Sequence, residues 1–278
     1  MARQLDAQTF EILRELIYRH SGIRVTPKEA GPVAVRVGRR ATALGFASPG
    51  EYARFVASPQ GAAEVPALLD AVTVNYTFFF REPAQFRTLR ARVFPQLLAA
   101  RKRRGSRALR VWSAGCSSGE EPYSIAVSFA EAVGDPHRYD FRVLATDINR
   151  SVLKAARRAV YPVERLERFP QELFYKYWCR DEETPEGHLR LVEEVRRMAV
   201  FRRHNILREM ESLRGELDLV FCRHVMIYFD RPARVRLVGS FARYLAPGGY
   251  LFLGESEELE DPDRRFRAAG KGVYRKPW

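Results

Sequence analysis

The chain has 278 residues, of which 46% are hydrophobic, so it can bury the core of one large domain and a smaller one. Its 47 Lys and Arg residues against 34 Asp and Glu residues give a net charge of +13, and no run of about 18 apolar residues predicts a membrane-spanning helix. The three cysteines have no spacing typical of metal ligands, so we expect no metal site and a reduced, cytoplasmic compartment.

The first quarter of the chain predicts a small all-helical domain over residues 1–75. Apolar residues recur at helical spacing over residues 5–20, until Gly22 and Pro27 interrupt the pattern. The acidic residues between these apolar positions are not typical of a signal peptide. Three more helices are predicted over residues 33–44, 49–56 and 66–73.

A basic linker helix is predicted over residues 76–106. Ten Lys or Arg residues and one acidic residue fall within residues 76–110, which therefore hold +9 of the net charge. Apolar side chains recur at helical spacing at Phe86, Leu89, Val93, Leu97 and Leu98. The basic face of this helix either lies in solvent, where it can meet an acidic partner, or forms a track that binds phosphate.

The segment NYTFFFRE, residues 75–82, joins the two predicted domains. Three consecutive phenylalanines are too apolar for an exposed linker, so we expect them to pack under the large domain. A second interpretation adds that the polar residues Asn75, Thr77 and Arg81 are held against this apolar wall, as a binding site requires.

From residue 107 the pattern changes to alternating strands and helices. This alternation predicts an α/β domain over residues 107–278, with a mainly parallel sheet and helices on both of its faces. Six strands are predicted over residues 109–112, 141–145, 198–201, 217–222, 250–254 and 272–276, and three helices over residues 122–133, 149–160 and 231–245. Residues 161–197 break the alternation and predict an insertion, while Pro-Gly-Gly at residues 247–249 predicts a tight turn before the fifth strand.

The turn after the first predicted strand is typical of a cofactor site. In LRVWSAGCSSGEEPYS, residues 109–124, small residues around Gly115 let a ligand approach the backbone, and the next helix begins with unpaired N–H groups. The G-x-G-x-x-G spacing of dinucleotide sites is absent, and Glu120 and Glu121 would repel a pyrophosphate. A cofactor with a cationic or hydroxyl-rich end therefore fits better, although glycines that only permit tight packing would produce the same pattern.

Polar residues also follow the next three predicted strands, at the edge where such folds bind ligands. Asp147 ends the second strand and can either accept hydrogen bonds from two ribose hydroxyls or cap the following helix. Asn205 follows the third strand and can hydrogen-bond an adenine edge, and CRHVMIYF, residues 222–229, includes the end of the fourth strand. Together these residues predict a site for a nucleoside.

Six segments taken together resemble the chemotaxis receptor methyltransferases, the CheR family. They are NYTFFFRE, RVWSAGCSSGEEPYSIA, ATDIN, HNIL, CRHVMIYFD and, more loosely, GYLFLGESE, in the family's order over nearly the whole chain. The resemblance implies a Rossmann-like class I S-adenosylmethionine methyltransferase domain, preceded by a small all-α domain and carrying a small inserted β-subdomain. It also implies methyl transfer to glutamate side chains on chemoreceptor helices, which yields glutamate 5-O-methyl esters and S-adenosylhomocysteine.

The resemblance further implies which residues form the site. Those implied to bind S-adenosylmethionine are Asn75, Thr77, Arg81, Glu121, Asp147, Asn205 and Ile206, and the small-residue turn adds Gly115. Arg81 and Tyr228 are implied to lie nearest to the reacting methyl group, as catalytic residues. The family usually has Asn where this chain has His224, next to Val225. We expect both to contact the cofactor, with a different hydrogen-bonding geometry at the imidazole.

The receptor helices that carry methylation sites are acidic in this family. Arg36, Arg39 and Arg40 are spaced to share one helix face that would attract them, so they are the predicted substrate-binding residues. No nucleic acid and no membrane insertion are expected.

Three alternatives fit the residues less well. A nucleic-acid methyltransferase would suit the charge of +13, but the chain has no recognised basic and aromatic motif for nucleic acid. A nicotinamide dehydrogenase would need the missing G-x-G-x-x-G. A non-catalytic adaptor that binds S-adenosylmethionine would keep the fold without the reaction.

Overall fold

The computed structural model describes residues 5–210, 216–261 and 264–278. Its helices are α1 (Ala7–Ser21), α2 (Ala30–Ala43), α3 (Pro49–Ala57), α4 (Val65–Val72), α5 (Pro83–Thr88), α6 (Phe94–Arg103), α7 (Glu120–Val133), α8 (Arg150–Arg158), α9 (Phe174–Tyr177), α10 (Glu193–Arg196) and α11 (Arg231–Tyr244). Its strands are β1 (Ala108–Ala114), β2 (Asp140–Asp147), β3 (Val160–Pro162), β4 (Trp178–Cys179), β5 (His188–Leu191), β6 (Ala199–Arg203), β7 (Leu217–Cys222), β8 (Leu245–Leu253), β9 (Arg267–Gly270) and β10 (Val273–Arg275). None of the described helices is long and apolar enough to cross a membrane.

The helices α1 to α4 pack around an apolar core of their own, in which Leu13 and Tyr52 are fully buried. α1 begins after Asp6, whose carboxylate accepts a hydrogen bond from the Thr9 N–H at 2.7 Å. It ends at Gly22, whose φ of 77° favours glycine. All four helices predicted from the amphipathic pattern are present, with ends within three residues of those predicted.

The linker helix is shorter than the sequence predicts. It consists of α5, a π-helical turn and α6, and therefore begins at residue 83 instead of residue 76. The preceding backbone leaves the helical region, because Phe80 and Glu82 have φ angles of 53° and 60°. The buried apolar side chains of this helix include Phe86, Leu89, Val93 and Leu97, as predicted.

The large domain is built on a seven-stranded sheet with the order β6-β2-β1-β7-β8-β10-β9. The first five strands in this order are parallel, and β10 pairs antiparallel with both β8 and β9. Side chains alternate between two apolar layers, with Val111 and Phe221 in one layer and Trp112 and Val220 in the other. The strand order reverses between β1 and β7, where open α/β sheets bind ligands. The predicted α/β class is confirmed.

Two details of this sheet differ from the prediction. The strand β9 is missing from the predicted set, because its sequence RAAG has no β-branched or aromatic residue. Residues 247–249 form a bulge inside β8 instead of a turn before it. β8 begins at Leu245, and its pairing with β7 shifts register between Leu217 and Leu219.

The insertion contains a second sheet, antiparallel, with the order β3-β5-β4. Phe79 anchors it to the domain junction. The Phe79 ring is fully buried, and its centroid lies 5.0 Å from that of Tyr161, 5.7 Å from that of Phe169 and 5.2 Å from that of Trp178. The phenylalanine run therefore packs under the large domain, as the first interpretation predicts.

Hydrogen bonds join the helical domain directly to the edge of the large sheet. The Arg24 N–H donates to the Tyr228 carbonyl at 2.8 Å. On the opposite side, the Arg150 N–H at the start of α8 donates to the Asp70 carboxylate at 2.8 Å. These hydrogen bonds form a seam that holds the helical domain against the carboxyl ends of the parallel strands.

Candidate active site

A cavity lies where the helical domain meets the carboxyl ends of the parallel strands. Its volume is about 480 Å³, within the range of about 300–1,000 Å³ that small-molecule sites occupy. The predicted site residues that line it are Arg36, Asn75, Thr77, Arg81, Gly115, Glu121, Asp147, Asn205, Ile206, His224, Val225 and Tyr228. Arg39 and Arg40 are not among the lining residues. The fold thus brings together residues from both domains, whose individual roles stay predictions.

Gly115 is required by the turn between β1 and α7. Its φ of 84° is unfavourable for a residue with a side chain, and a Cβ atom there would lie 2.4 Å from Cγ2 of Val225. Its N–H donates to the Thr146 carbonyl at 2.8 Å, which ties the turn to the end of β2. The loops after β1, β2 and β7 therefore meet at one wall of the cavity.

Asp147 ends β2, and backbone groups already hold its carboxylate in place. The N–H groups of Ser117 and Asn149 donate to its two oxygens, each at 2.9 Å. Burial raises the pKa of Asp147, and these two N–H groups oppose the increase. The helix-cap alternative is wrong, because Asn149 is the N-cap of α8 and accepts the Ser151 N–H. Each Asp147 oxygen can accept one more hydrogen bond, as a pair of ribose hydroxyls would need.

Glu120 and Glu121 are adjacent but face different surroundings. Glu121 lines the cavity and accepts a hydrogen bond from the Ser113 hydroxyl at 2.7 Å. Burial raises the pKa of Glu121, and the Arg223 guanidinium, 3.6 Å away, opposes this increase. Glu120 is fully buried and pairs with Arg165 of the insertion at 3.0 Å. Of the two carboxylates, Glu121 is therefore the one that can meet a cationic group of a ligand.

Arg81 and Tyr228 share the cavity wall at the domain junction. The Arg81 guanidinium donates to the Tyr76 carbonyl at 2.9 Å and lies over the Tyr76 and Phe78 rings, 5.4 and 5.7 Å from their centroids. Burial and the negative charge of Glu29 raise the pKa of Tyr228, while the positive charge of Arg81 opposes the increase. Tyr228 consequently keeps its phenolic proton at neutral pH and can donate a hydrogen bond.

His224 has a left-handed backbone conformation, with a φ of 59°. Asn, Asp and His are the residues other than glycine that are most enriched in this region, so a histidine is suited to this turn. Its Nε2 lies 2.9 Å from Oε1 of Glu82. The imidazole is therefore directed at Glu82, and its contact with the cofactor stays a prediction.

Asn205 uses its side chain to join the two domains. Its Nδ2 donates to the carbonyls of His20 and Ser21 at the end of α1, at 3.2 and 3.3 Å, and its Oδ1 accepts the Leu207 N–H at 3.0 Å. The Oδ1 atom has a second lone pair, and Asn205 lines the cavity, so its hydrogen bond to an adenine edge stays a prediction. Ile206 follows it and adds apolar surface to the cavity.

The three arginines predicted to share a substrate-binding face have different surroundings. Arg36 lines the cavity and donates to the Val72 carbonyl at 2.8 Å. Arg39 is exposed. Arg40 makes two hydrogen bonds to Glu64, at 2.6 and 2.9 Å, inside the helical domain. Arg40 is therefore committed to the helical domain, while Arg36 and Arg39 keep positive charge near the cavity and on the surface of α2.

Arg223 supports the site but is not among the predicted site residues. Its side chain is 2% exposed, and its Nη2 donates to the Arg81 carbonyl at 2.5 Å. The same guanidinium lies 3.5 Å from Glu82 and 3.6 Å from Glu121. The signal for Arg223 in the sequence is its position directly after the apolar strand β7. An arginine at the end of a buried strand is itself buried, and a buried cation needs anionic partners.

Glu257 also supports the site and was found only in the structure. Its carboxylate, in a residue that is 8% exposed, accepts hydrogen bonds from three backbone N–H groups. The donors are His224 at 2.7 Å, Met226 at 3.0 Å and Gly254 at 2.8 Å. Glu257 thus fixes the turn that carries His224 and leads to Tyr228.

The fold and the cavity define a class of protein. A parallel sheet of this order, with a small-residue turn after its first strand and a carboxylate at the end of its second, is typical of α/β domains that bind a nucleoside cofactor. The family model described as "CheR methyltransferase, all-alpha domain" matches residues 8–73, and the one described as "CheR methyltransferase, SAM binding domain" matches residues 75–274. The chain therefore belongs to the CheR methyltransferase family.

Similar proteins match over both domains. The chain is 39% identical to chemotaxis protein methyltransferase 2 of Pseudomonas aeruginosa over 269 residues, which cover 96% of this chain and 92% of that protein. It is 37% identical to the chemotaxis protein methyltransferase of Escherichia coli over 266 residues, with coverage of 95% and 89%. Its identity to the Salmonella typhimurium chemotaxis protein methyltransferase is 36% over 266 residues, with coverage of 95% and 88%.

The protein is an S-adenosylmethionine-dependent methyltransferase, and the residues of the cavity fit that cofactor. Asp147 can accept hydrogen bonds from vicinal hydroxyls, and Glu121 can pair with a cationic group. A Cβ atom at Gly115 would fill space beside Val225 at the cavity wall. Among the described residues, no group of three or more His, Cys, Asp or Glu side chains could hold a metal ion.

Proposed function

We propose that this protein transfers the methyl group of S-adenosylmethionine to glutamate side chains on the cytoplasmic helices of chemoreceptors, forming glutamate 5-O-methyl esters. The observation that carries the proposal is that Arg81 and Tyr228, two groups able to bind a carboxylate, line the same cavity as Asp147 and Glu121. The names of the relatives, which are chemotaxis protein methyltransferases, support the same process.

The reaction needs orientation more than it needs proton transfer. A glutamate side chain has an ordinary pKa of about 4.3 and is already ionised at neutral pH, so no general base has to activate it. The bound cofactor supplies a methyl group on a positively charged sulfur. The residues of this chain then have to hold the carboxylate in line with that methyl group and keep water away from it.

Arg81 and Tyr228 suit this task. The Tyr76 carbonyl and the two neighbouring rings fix the direction of the Arg81 guanidinium. Tyr228 donates from a phenol whose raised pKa keeps it protonated. The carboxylate loses its charge during the reaction, so these donors accelerate it by orienting the nucleophile and not by stabilising the anion.

Positive charge on α2 suits an acidic receptor helix. Arg36 lines the cavity, and Arg39 is exposed nearly one helical turn later. Charges of this sign increase the rate at which an acidic partner reaches the site, and salt weakens the effect. The receptor helix would therefore approach across α2 before one of its glutamates enters the cavity.

The direct test is transfer of tritiated methyl groups from S-adenosylmethionine to a purified cytoplasmic fragment of a chemoreceptor. We expect label on the fragment, released as methanol by mild base, because methyl esters are base-labile. Tyr228→Phe keeps the ring but removes the hydroxyl, so it should transfer more slowly. Tyr175→Phe removes a hydroxyl from a tyrosine that is 94% exposed and does not line the cavity, so it is the matched control and should transfer normally.

Other outcomes would refute the proposal. Base-stable label on the receptor would exclude an ester. Label on RNA or DNA would support a nucleic-acid methyltransferase. Calorimetric binding of S-adenosylmethionine and S-adenosylhomocysteine, with no transfer to any receptor fragment, would support an adaptor.

A further inference from the structure

A second cavity, of about 490 Å³, shares Phe78 and Phe86 with the wall of the active-site cavity. It lies between the linker helix and the insertion, and part of its wall comes from α7. None of the residues predicted to bind cofactor or substrate lines this second cavity. Its lining combines aromatic rings, arginines and one buried hydroxyl.

Three guanidinium groups lie around this cavity, from Arg87, Arg90 and Arg168. Within residues 5–210, 216–261 and 264–278, none of these guanidinium groups forms an ion pair or a hydrogen bond with another residue. Glu172 also lines the cavity, so a net positive charge of two remains. Arginine matches the oxygen geometry of phosphate through its planar set of donors, which favours a phosphorylated ligand.

The other groups in the lining favour an aromatic ligand with polar atoms. Phe78 and Phe80 contribute rings, and the Arg168 guanidinium lies 4.3 Å from the Phe78 centroid. Ser128 of α7 is 1% exposed, and its hydroxyl has no hydrogen-bond partner in the described part of the chain. Buried polar groups are normally hydrogen-bonded, so a polar atom of a ligand would satisfy this hydroxyl.

We propose that this second cavity binds a nucleotide, with its phosphates on the three arginines and its base against the aromatic wall. The volume of about 490 Å³ lies within the range of about 300–1,000 Å³ that small-molecule sites occupy. Arg168 and Arg81 lie over the same Phe78 ring, at 4.3 and 5.7 Å. A ligand that binds Arg168 therefore acts on the ring that orients Arg81, and so regulates the active site. The proposal goes beyond the methyl-transfer reaction and does not depend on the identity of its substrate.

The test is calorimetric titration of the full chain with ATP, GTP and UTP while S-adenosylhomocysteine saturates the first cavity. We expect at least one nucleotide to bind. Its affinity should fall by about tenfold or more in Arg87→Ala and in Arg168→Ala, since each variant loses a charge-assisted contact with phosphate. Arg103→Ala removes the same charge outside the cavity and should bind normally. Circular dichroism verifies that each variant is folded.

Several results would overturn the proposal. One is the absence of binding by all three nucleotides, and another is equal weakening in Arg103→Ala, which would indicate binding by general charge. Pyrophosphate that binds as tightly as the nucleotides would exclude a role for the aromatic wall. The reverse titration, with S-adenosylhomocysteine added in the presence and absence of nucleotide, tests the link through Phe78. If the two sites are coupled, each ligand must change the affinity for the other by the same factor. An unchanged affinity would refute that link.

Discussion

Replacing Glu257 by Ala should loosen the turn that leads to Tyr228. The carboxylate accepts three backbone N–H groups, from His224, Met226 and Gly254, at 2.7, 3.0 and 2.8 Å. The variant leaves these three donors without an acceptor in a site that is 8% exposed. At about 1 kcal/mol or more for each lost hydrogen bond, the free energy of unfolding should fall by about 3–5 kcal/mol.

Thermal unfolding measures this loss. For a chain of this size, a change of 1 kcal/mol shifts the midpoint by roughly 2–4 °C, so we expect a decrease of roughly 6–20 °C. Methyl transfer should also fall at a temperature where the variant is still folded, because Tyr228 is no longer held in position. Glu257→Gln keeps one acceptor oxygen and should lie between Ala and the unchanged protein.

The neighbouring residue supplies the control. Glu258 is exposed and next to Glu257 in the chain, so Glu258→Ala removes the same charge without removing the three hydrogen bonds. It should unfold and react like the unchanged protein. If Glu257→Ala matched Glu258→Ala in both midpoint and rate, the hydrogen bonds to Glu257 would not hold the site.

Three further predictions concern charge. Arg81→Ala should lower the turnover of methyl transfer by about 10- to 100-fold and weaken S-adenosylhomocysteine binding much less. Unchanged methyl incorporation into the receptor fragment would show that Arg81 has no part in the mechanism. Cofactor affinity should fall on acidification, and the fall should begin at a higher pH than for ordinary carboxylates, because burial raises the pKa of Asp147 and Glu121. Asp147→Asn should bind weakly and give a flatter calorimetric pH profile. Added salt should slow association with a receptor fragment by screening Arg36 and Arg39, and a salt-independent association rate would contradict that partner model.

The outline of the site could be predicted because parallel strands end at the same edge of a sheet. Gly115, Asp147 and His224 lie at the carboxyl ends of three different strands, and all three line one cavity. Their positions depend on strand order and on the small-residue turn, and both leave a clear pattern in the sequence. The alternation of strands and helices likewise predicted the α/β class.

The direction of individual side chains could not be predicted in the same way. Glu120 and Glu121 are neighbours in one motif, but adjacent positions on a helix point about 100° apart, so one faces the insertion and the other the cavity. Asn205 follows a strand end, but its amide binds the end of α1, which lies 184 and 185 residues away in the chain. Such partners are set by the packing of the two domains, which no local pattern encodes.

On the proposed roles, the seam between the domains couples the receptor-binding face of α2 to the position of Tyr228. The Tyr228 carbonyl accepts a hydrogen bond from the Arg24 N–H, so the position of Tyr228 is partly set by the domain that carries Arg36. A chimera that took its first 75 residues from a relative with different receptor preferences would have to reproduce this bond and the one between Asp70 and Arg150. Without these two hydrogen bonds, we expect the chimera to hold Tyr228 in a different position and to transfer methyl groups more slowly.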